Sequence, residues 1–414
     1  MKLTRDLALV YAAAFLRSVG VGLTGVLLAL YLAQAGLSGG AIGVIVAAGL
    51  AGGAAATLLV TVGADRLGRR ATLLGLAALT AAGGVVLALA SEFWVFFAAA
   101  FFGMVNGMGR DRGGAVALEQ AMLPETVSAE RRTWALAFYN LALDTGGALG
   151  SLAAALPFVF RESRSFGTLD SYRATFGLYA ALMLVAAALY VGLTARVEVH
   201  TGQRPVPPVS PESKRIVYKL SALFTLDSIG GGFLANTLLA YWFFRRFGVG
   251  EEWLGPLFFA AGLANAGSHL GAAWLGGRIG LVNTMVFTHI PANLLLLAVP
   301  FAPSFGWAAA LFLLRECLIR MDVPTRQSYT LAVVAPSERT FASGVTNLTR
   351  NASWAVAPSL AGWLMQSAAT LSAPLFFGSG LKIVYDLLLY RAFRHLPAPE
   401  ERKAGPSPAS PGSG

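Results

Sequence analysis

The sequence has 414 residues, of which 56% are hydrophobic and 13% are charged, and its mean hydropathy is +0.63. Soluble domains carry about a quarter charged residues, so this composition excludes a chain whose whole surface faces water. The formal net charge of +10 fits Lys and Arg retained in the cytoplasmic loops of a membrane protein, and we expect no nucleic-acid partner.

Long apolar segments predict an all-α membrane protein with twelve transmembrane helices. A helix needs about 20 apolar residues to cross the ~30 Å hydrocarbon core of a bilayer, and the uncharged run 71–90 supplies one. The first six helices are predicted at 7–34, 38–62, 71–90, 93–120, 133–160 and 172–195. The second six are predicted at 216–245, 252–276, 282–302, 306–334, 339–367 and 373–396. The first apolar run exceeds signal-peptide length, so it is interpreted as a retained helix.

A polar interval rich in proline and basic residues, 196–219, lies at the middle of the chain and predicts a linker. The predicted organisation is an N-terminal six-helix bundle (1–195), a cytoplasmic central loop (196–219), a C-terminal six-helix bundle (220–396) and a disordered cytoplasmic tail (397–414). Twelve spans place both termini on one side. Most loop Lys and Arg residues fall on that side, which predicts that both termini are cytoplasmic.

Two weak internal matches predict that the halves arose by duplication. Leu-Arg-Ser, with Arg17, recurs as Leu-Asp-Ser, with Asp227, and Asn-Leu at Asn140 recurs at Asn347. Both offsets are close to half the chain length. Halves related in this way in transporters meet at a cavity near the bilayer midplane.

The loop between the second and third predicted helices reads Gly-Ala-Asp-Arg-Leu-Gly-Arg-Arg over 63–70. It resembles the major facilitator superfamily signature Gly-x-x-x-Asp-Arg-x-Gly-Arg-Lys/Arg, with Thr61 in place of the first glycine. The matching residues are Asp65, Arg66, Gly68, Arg69 and Arg70. The resemblance implies that family's fold, twelve transmembrane helices in two pseudo-symmetric six-helix bundles, in a bacterial drug- or metabolite-efflux branch. It also implies a multi-pass protein of the plasma (inner) membrane.

In that family the signature loop is a cytoplasmic latch that stabilises the outward-facing state, and the resemblance implies this role for the five matching residues. The alternative is that the arginines only anchor the loop in the cytoplasm. Arg110, Asp111 and Arg112, expected toward the cytoplasmic end of the fourth helix, are further gate candidates, or they snorkel to the interface.

Ionisable residues inside a span are costly and mark functional candidates. Arg17 and Asp227 fall near mid-depth in the first and seventh helices. In one interpretation they belong to a structural ion pair between the halves. In the other, Arg17 attracts an anionic substrate group while Asp227 carries a proton or pairs with the substrate.

Five further charged residues in the spans are also considered. Asp144 is the next proton-carrier candidate, and Arg320 and Arg350 would suit an anionic substrate. Lys382 and Asp386 lie one turn apart, so they are expected to pair with each other.

No nucleophile, phosphate-binding or metal-ligand motif is present in the sequence, so we expect no enzyme activity, cofactor or metal site. The favoured function is proton-coupled export of a small organic molecule by a monomer in the lipid bilayer. In the family that the signature resembles, antiporters often carry Gly-x-x-x-Gly-Pro in the fifth helix. Gly146 and Gly150 have this spacing, which suggests export, but Ser151 stands where the proline would be. The alternatives are an importer or uniporter of a sugar or organic anion, or a non-transporting receptor of the same fold.

Overall fold

The computed structural model describes residues 4–126, 132–198, 209–334 and 338–394, and in these ranges it contains helices and no strands. The N-terminal six spans are formed by α1 (Arg5–Gln34), α2 (Gly39–Leu67), α3 (Arg69–Leu89), α4 (Phe93–Phe102), α5 (Gly114–Thr126), α6 (Arg132–Ala153), α7 (Leu156–Arg164) and α8 (Thr168–Val191). The C-terminal six are formed by α9 (Pro211–Phe233), α10 (Asn236–Phe247), α11 (Glu251–Ile279), α12 (Leu281–Ala298), α13 (Phe305–Ile319), α14 (Asp322–Ala332), α15 (Arg339–Trp354), α16 (Pro358–Leu364) and α17 (Ala373–Phe393).

The outer surface of this bundle is apolar, as a lipid-facing surface must be. Leu59 is 72% exposed, and Leu89 and Phe301 are each 76% exposed. By length and composition, eight helical stretches in the described ranges can cross a membrane, and α4 is a shorter apolar helix. The predicted all-α membrane fold is therefore confirmed, and the seventeen helices of the described ranges form its twelve spans because five spans consist of two helices each.

Five of the predicted continuous spans are interrupted. The fourth, fifth, seventh, tenth and eleventh spans each consist of two helices joined by a break, at 103–113, 154–155, 234–235, 320–321 and 355–357. The break in the eleventh span directly precedes Pro358, which lacks the backbone N–H that a continuous helix would use as a hydrogen-bond donor. Apolar composition alone predicts length and gives no signal for such breaks.

The predicted linker is shorter than expected because α9 begins at Pro211 and not near residue 216. Ser210 caps the helix, its hydroxyl accepting a bond from the N–H of Ser213. Proline is well suited to the first helical position, where its missing N–H costs nothing. The predicted central loop is thus partly helical, while 199–208 and the predicted tail 397–414 lie outside the described residues.

Successive spans run in opposite directions between the two faces of the bundle. We call the face at which α1 begins and α17 ends the terminal face, and the other the opposite face. Near the opposite face, a single cluster of buried apolar residues joins both halves and contains Leu30, Leu50, Trp242 and Leu375. Toward the terminal face, each half has its own separate clusters. The halves are therefore closed together at the opposite face and separated at the terminal face.

Small residues allow the halves to meet closely at the opposite face. A Cβ atom added to Gly43 of α2 would lie 2.3 Å from the carbonyl oxygen of Pro358, and one added to Gly362 of α16 would lie 2.3 Å from the carbonyl oxygen of Gly39. These distances are too short for any side chain, so glycine is required at both positions.

A buried ion pair also joins the halves at the opposite face. Arg161 of α7 donates to Glu251 at the start of α11, and Tyr172 donates to the same carboxylate at 2.7 Å. Arg161 also donates to the Ser171 hydroxyl at 3.1 Å. Glu251 is only 3% exposed, so these partners, and not water, stabilise its negative charge.

Candidate functional site

The break in the fourth span places polar backbone at mid-depth. Its residues include two with positive φ, Met104 at 51° and Gly109 at 69°. The side chain of Asn106 donates to the carbonyl of Arg110 at 2.6 Å, and the Asn106 carbonyl accepts from Thr24 at 2.9 Å. Glycine-rich sequence has low helix propensity, and a local asparagine bond offers the backbone an alternative partner. The prediction of a continuous helix over 93–120 is therefore wrong.

The same break connects the two halves through Thr237 at the start of α10. The N–H of Thr237 donates to the carbonyl of Gly107 at 3.0 Å, and its hydroxyl accepts from the N–H of Ala29 at 2.9 Å. The broken fourth and seventh spans thus satisfy each other's polar groups inside the bundle, where broken helices are tolerated.

A buried charge cluster in the N-terminal half is centred on Glu119. Arg17 donates to both Glu119 oxygens, at 2.7 and 3.1 Å, and to Asp111 at 2.5 Å. Tyr139 and Tyr190 each donate to Glu119 at 2.6 Å, and Arg17 also contacts the Tyr190 hydroxyl. Glu119 is fully buried, so four surrounding donor contacts replace the water that it has lost.

A second cluster in the C-terminal half is centred on Asp227. Lys382 lies 2.5 Å from one carboxylate oxygen, and Arg326 and Arg350 lie 3.5 and 3.8 Å from the other. Arg326 is also paired with Asp322 at 2.5 Å. The charge of Asp227 is therefore balanced by several cations from its own half.

Two expected pairs are absent from these clusters. Arg17 and Asp227 do not pair with each other, since each finds its partners within its own half. Lys382 and Asp386 do not pair either, because Asp386 faces His289, at 2.9 Å. Spacing along one helix did not indicate the partners that other helices provide.

The two clusters occupy matching positions in the halves with the charges reversed. Arg17 corresponds to Asp227 at an offset of 210, and Glu119 corresponds to Arg326 at an offset of 207. The Arg17–Glu119 pair of one half thus matches the Asp227–Arg326 pair of the other.

A cavity of about 1280 Å³ lies between the halves and extends from mid-depth toward the terminal face. A smaller cavity of about 150 Å³ adjoins it at mid-depth. Both are lined by Arg110, Arg112, Arg320, Arg350 and Trp354. The mid-depth breaks therefore bring Arg110, Arg112 and Arg320 to one place, where α15 adds Arg350, so arginines from both halves meet there.

Trp354 lies between two of these arginines. The guanidinium carbon of Arg112 is 5.4 Å from the centre of the Trp354 ring, and that of Arg350 is 5.3 Å from it. Both distances fit a cation–π contact. Trp354 is not among the residues predicted from the sequence, because no sequence signal distinguishes one tryptophan near a helix end from an interfacial residue.

Within the described ranges, three of the cavity arginines have no acidic partner. Arg110, Arg112 and Arg320 form no ion pair with any residue in the described ranges. The Nε atoms of Arg320 and Arg350 are buried without a hydrogen-bond partner. Arg110 and Arg112 thus lie beside the cavity at mid-depth, not at the cytoplasmic end of a helix as expected, and Asp111 pairs with Arg17.

Asp144 also lines the large cavity, where its side chain is exposed. It forms no hydrogen bond or ion pair within the part of the chain that the structure describes. Gly146 and Gly150, on the same helix, have a packing role. A Cβ on Gly150 would lie 2.0 Å from the Val19 carbonyl, and one on Gly146 would lie 2.5 Å from the Phe15 carbonyl.

The signature loop makes a sharp turn between α2 and α3 at Gly68, whose φ is +90°. Gly280 makes the matching turn between α11 and α12 with φ of +87°. The Glu198 carboxylate accepts bonds from the N–H groups of Arg69 and Arg70, at 2.7 and 3.1 Å. It therefore caps the N-terminus of α3, where a negative charge is favourable.

The loop arginines make further contacts within the N-terminal half. Arg70 donates to the Val191 carbonyl at 2.5 Å, and Arg69 to the Val197 carbonyl at 3.5 Å. Arg66 is exposed, and the side chain of Asp65 lies outside the described residues. None of these contacts reaches the C-terminal half, so the latch role of the loop stays a prediction.

Two half-bundles around a mid-depth cavity, closed at one face and separated at the other, define a membrane transporter and not an enzyme. The Major Facilitator Superfamily model matches residues 10–358, and the chain belongs to this family. It is 26% identical over 419 residues to an uncharacterized membrane protein of Saccharomyces cerevisiae, YJR124C, covering 93% of each chain.

Solved structures share the fold at low sequence identity. A bacterial homologue of the human lysosomal transporter Spinster, inward-facing and occupied, is 15% identical with a TM-score of 0.71, covering 94% of this chain and 97% of that one. The human organic anion transporter MFSD10 is 19% identical with a TM-score of 0.61, covering 94% and 100%. Transporters of nucleosides and xylose match similarly, so these likenesses show the fold alone.

Proposed function

We propose that this protein is an alternating-access transporter of small organic anions. The observation that carries the proposal is the group of cavity arginines without acidic partners. An unpaired guanidinium inside a membrane protein is costly unless a counter-charge reaches it. A substrate anion supplies that charge at the place where both halves contribute residues. The name of the human protein MFSD10, an organic anion transporter, is consistent with this class.

We place the terminal face in the cytoplasm, as the distribution of loop arginines and lysines favours. In that orientation the described conformation is inward-facing, because the halves are closed at the opposite face and the cavity extends toward the terminal face. The cavity lies within one chain, so a monomer suffices for transport. Accessibility of a cysteine placed at Arg66, compared with one at Phe166, to a membrane-impermeant reagent in intact cells tests the orientation.

Of the two predicted proton carriers, Asp144 remains the candidate for proton coupling. Its carboxylate lines the cavity without a partner in the described ranges, whereas Asp227 is enclosed by cations. The expectation of efflux rested on Gly146 and Gly150, and their close contacts with α1 give these glycines a packing role. They therefore carry no argument for direction.

The test is transport by the purified protein in liposomes. Radiolabelled organic anions, a neutral sugar and an organic cation are offered to liposomes that contain either the same unlabelled compound or buffer alone, with and without a pH gradient. The proposal predicts uptake of an anion and none of the sugar or the cation. Preferential transport of the sugar or the cation refutes it. If Asp144→Asn still couples anion uptake to the gradient, Asp144 is not the proton carrier.

A further inference from the structure

The charges around the cavity do not balance, and the excess belongs to the C-terminal half. In the N-terminal half, the cavity cations Arg17, Arg110 and Arg112 are matched in number by Asp111 and Asp144, which line the cavity, and by Glu119, which is buried behind it in its pair with Arg17. The N-terminal half therefore presents no net charge to the cavity.

In the C-terminal half, three cations have one carboxylate each. Arg315 pairs with Glu316, Arg326 pairs with Asp322, and Lys382 lies 2.5 Å from Asp227. Asp386, whose carboxylate lies 2.9 Å from the His289 ring, lines neither cavity. These pairs account for the acids that line the cavity from this half.

Two cations remain, Arg320 and Arg350. Arg350 is 9% exposed, and the one carboxylate within reach, Asp227 at 3.8 Å, is already held by Lys382. Both arginines line the cavity, and both have a buried Nε without a hydrogen-bond partner. Two positively charged side chains therefore line the same space, and each has a buried Nε whose hydrogen-bonding capacity is unused.

The cost of this excess depends on the conformation. While the cavity is open, water solvates the two guanidinium groups. Alternating access requires a state in which the cavity is closed to both faces, and there each uncompensated charge costs several kcal/mol. A bound anion with two negative charges removes this cost, whereas a monoanion or an empty site does not.

We infer that the substrate is a dianion held by Arg320 and Arg350, and that the protein exchanges one dianion for another and does not return empty. This inference rests on the proposed transport of anions and specifies its charge and its mode. A dicarboxylate and a phosphate monoester share the required chemistry. Arg112, from the other half, reaches the same site across Trp354 and draws the halves together around the bound anion.

The experiment compares exchange with net uptake. Proteoliposomes are loaded either with the unlabelled form of the probe or with sucrose, and uptake of the radiolabelled probe is followed. The probes are the dicarboxylates malonate to adipate and the phosphate monoester glycerol 3-phosphate, with lactate as monoanion and glucose as neutral control. The two dianion types distinguish the two substrate chemistries.

We expect at least one dianion to enter liposomes loaded with the same dianion about tenfold faster than sucrose-loaded liposomes, with lactate and glucose excluded. Equal rates into both kinds of liposome overturn the exchange mode, and faster transport of lactate overturns the dianion. Absence of transport and of thermal stabilisation by every dianion also overturns it. Preferential transport of glucose refutes the proposed function itself.

Arg350→Gln provides a direct check on the charge count. Removing one of the two excess charges is expected to weaken dianion affinity about tenfold or more, and to permit lactate transport that does not need a loaded counter-anion. Arg246→Gln, on the exposed surface of α10, is the matched control and keeps the wild-type pattern. If Arg350→Gln retains unchanged dianion affinity and strict exchange, the assignment of Arg350 is wrong.

Discussion

The ion pair at the opposite face provides the sharpest test of the described conformation. Arg161 and Glu251 come from different halves, so their contact exists when that face is closed and is lost when it opens. Glu251→Gln keeps the size of the side chain and removes its charge. We expect the variant to shift the protein toward the state that is open at the opposite face.

The size of the shift follows from the surroundings of the pair. Removing one partner of a buried, hydrogen-bonded charge pair costs about 2–5 kcal/mol. The side chain of Arg161 is 24% exposed and that of Glu251 is 4% exposed, so water partly solvates the arginine and the lower value applies. About 2 kcal/mol changes the ratio of the two states about 30-fold.

The measurement is the distance between spin labels on either side of the opposite face. Cys317 is replaced by serine, and labelled cysteines are placed at Phe166 in the N-terminal half and Ser304 in the C-terminal half. Electron–electron double resonance then gives the distance distribution. The variant is expected to populate a longer distance that the parent protein lacks.

Two controls make the result interpretable. Asp170→Asn removes an exposed pair with Arg173 on the same face, 3.5 Å apart, and should leave the distances unchanged. The charge exchange Arg161→Glu with Glu251→Arg should restore the short distance. An unchanged distribution in Glu251→Gln, or a failure of the exchange to restore it, refutes the role of the pair.

Gly362→Leu should also favour opening at the opposite face, because a Cβ there lies 2.3 Å from a backbone oxygen, and the spin-label distance should become longer. Gly267→Leu is the control, since a Cβ there meets no atom within 4 Å. Equal effects of the two variants would contradict the packing argument. Asp227→Ala should lower the free energy of unfolding by about 3–5 kcal/mol, since it leaves buried cations unpaired. Adding Lys382→Ala should recover part of this loss, and thermal unfolding in detergent measures both variants. If the losses of the two single variants simply add in the double variant, the pairing is ruled out. Glu119→Ala should lower stability by a similar amount in the same assay, whereas Glu119→Gln, which keeps a hydrogen-bond acceptor, should lower it less. Equal losses of stability in the two variants would show that hydrogen bonding at this site contributes little.

The sequence by itself predicted the membrane class, the number of spans and the place of the signature turn. These features depend on local properties, namely the length of apolar runs and the sharp turn that glycine allows at Gly68 and Gly280. It also marked Arg17, Asp144, Asp227, Arg320 and Arg350 as unusual, because a charge within an apolar run is visible without any knowledge of its neighbours.

Only the tertiary structure decided which charges meet. The partners of Arg17 are about 100 residues away along the chain, and Lys382 is 155 residues from Asp227. Such contacts depend on how helices pack. The spacing of Lys382 and Asp386 along one helix predicted the wrong partner for Lys382.

The breaks in the spans and the closure at one face also required the fold. A break near mid-depth is stable when another segment satisfies its backbone, as Thr237 does for Gly107. The surplus of positive charge is visible only when every acidic side chain around the cavity has been assigned to its basic partner. Arg320 and Arg350 therefore differ from the other charged residues in the assembled bundle, although the sequence does not distinguish them.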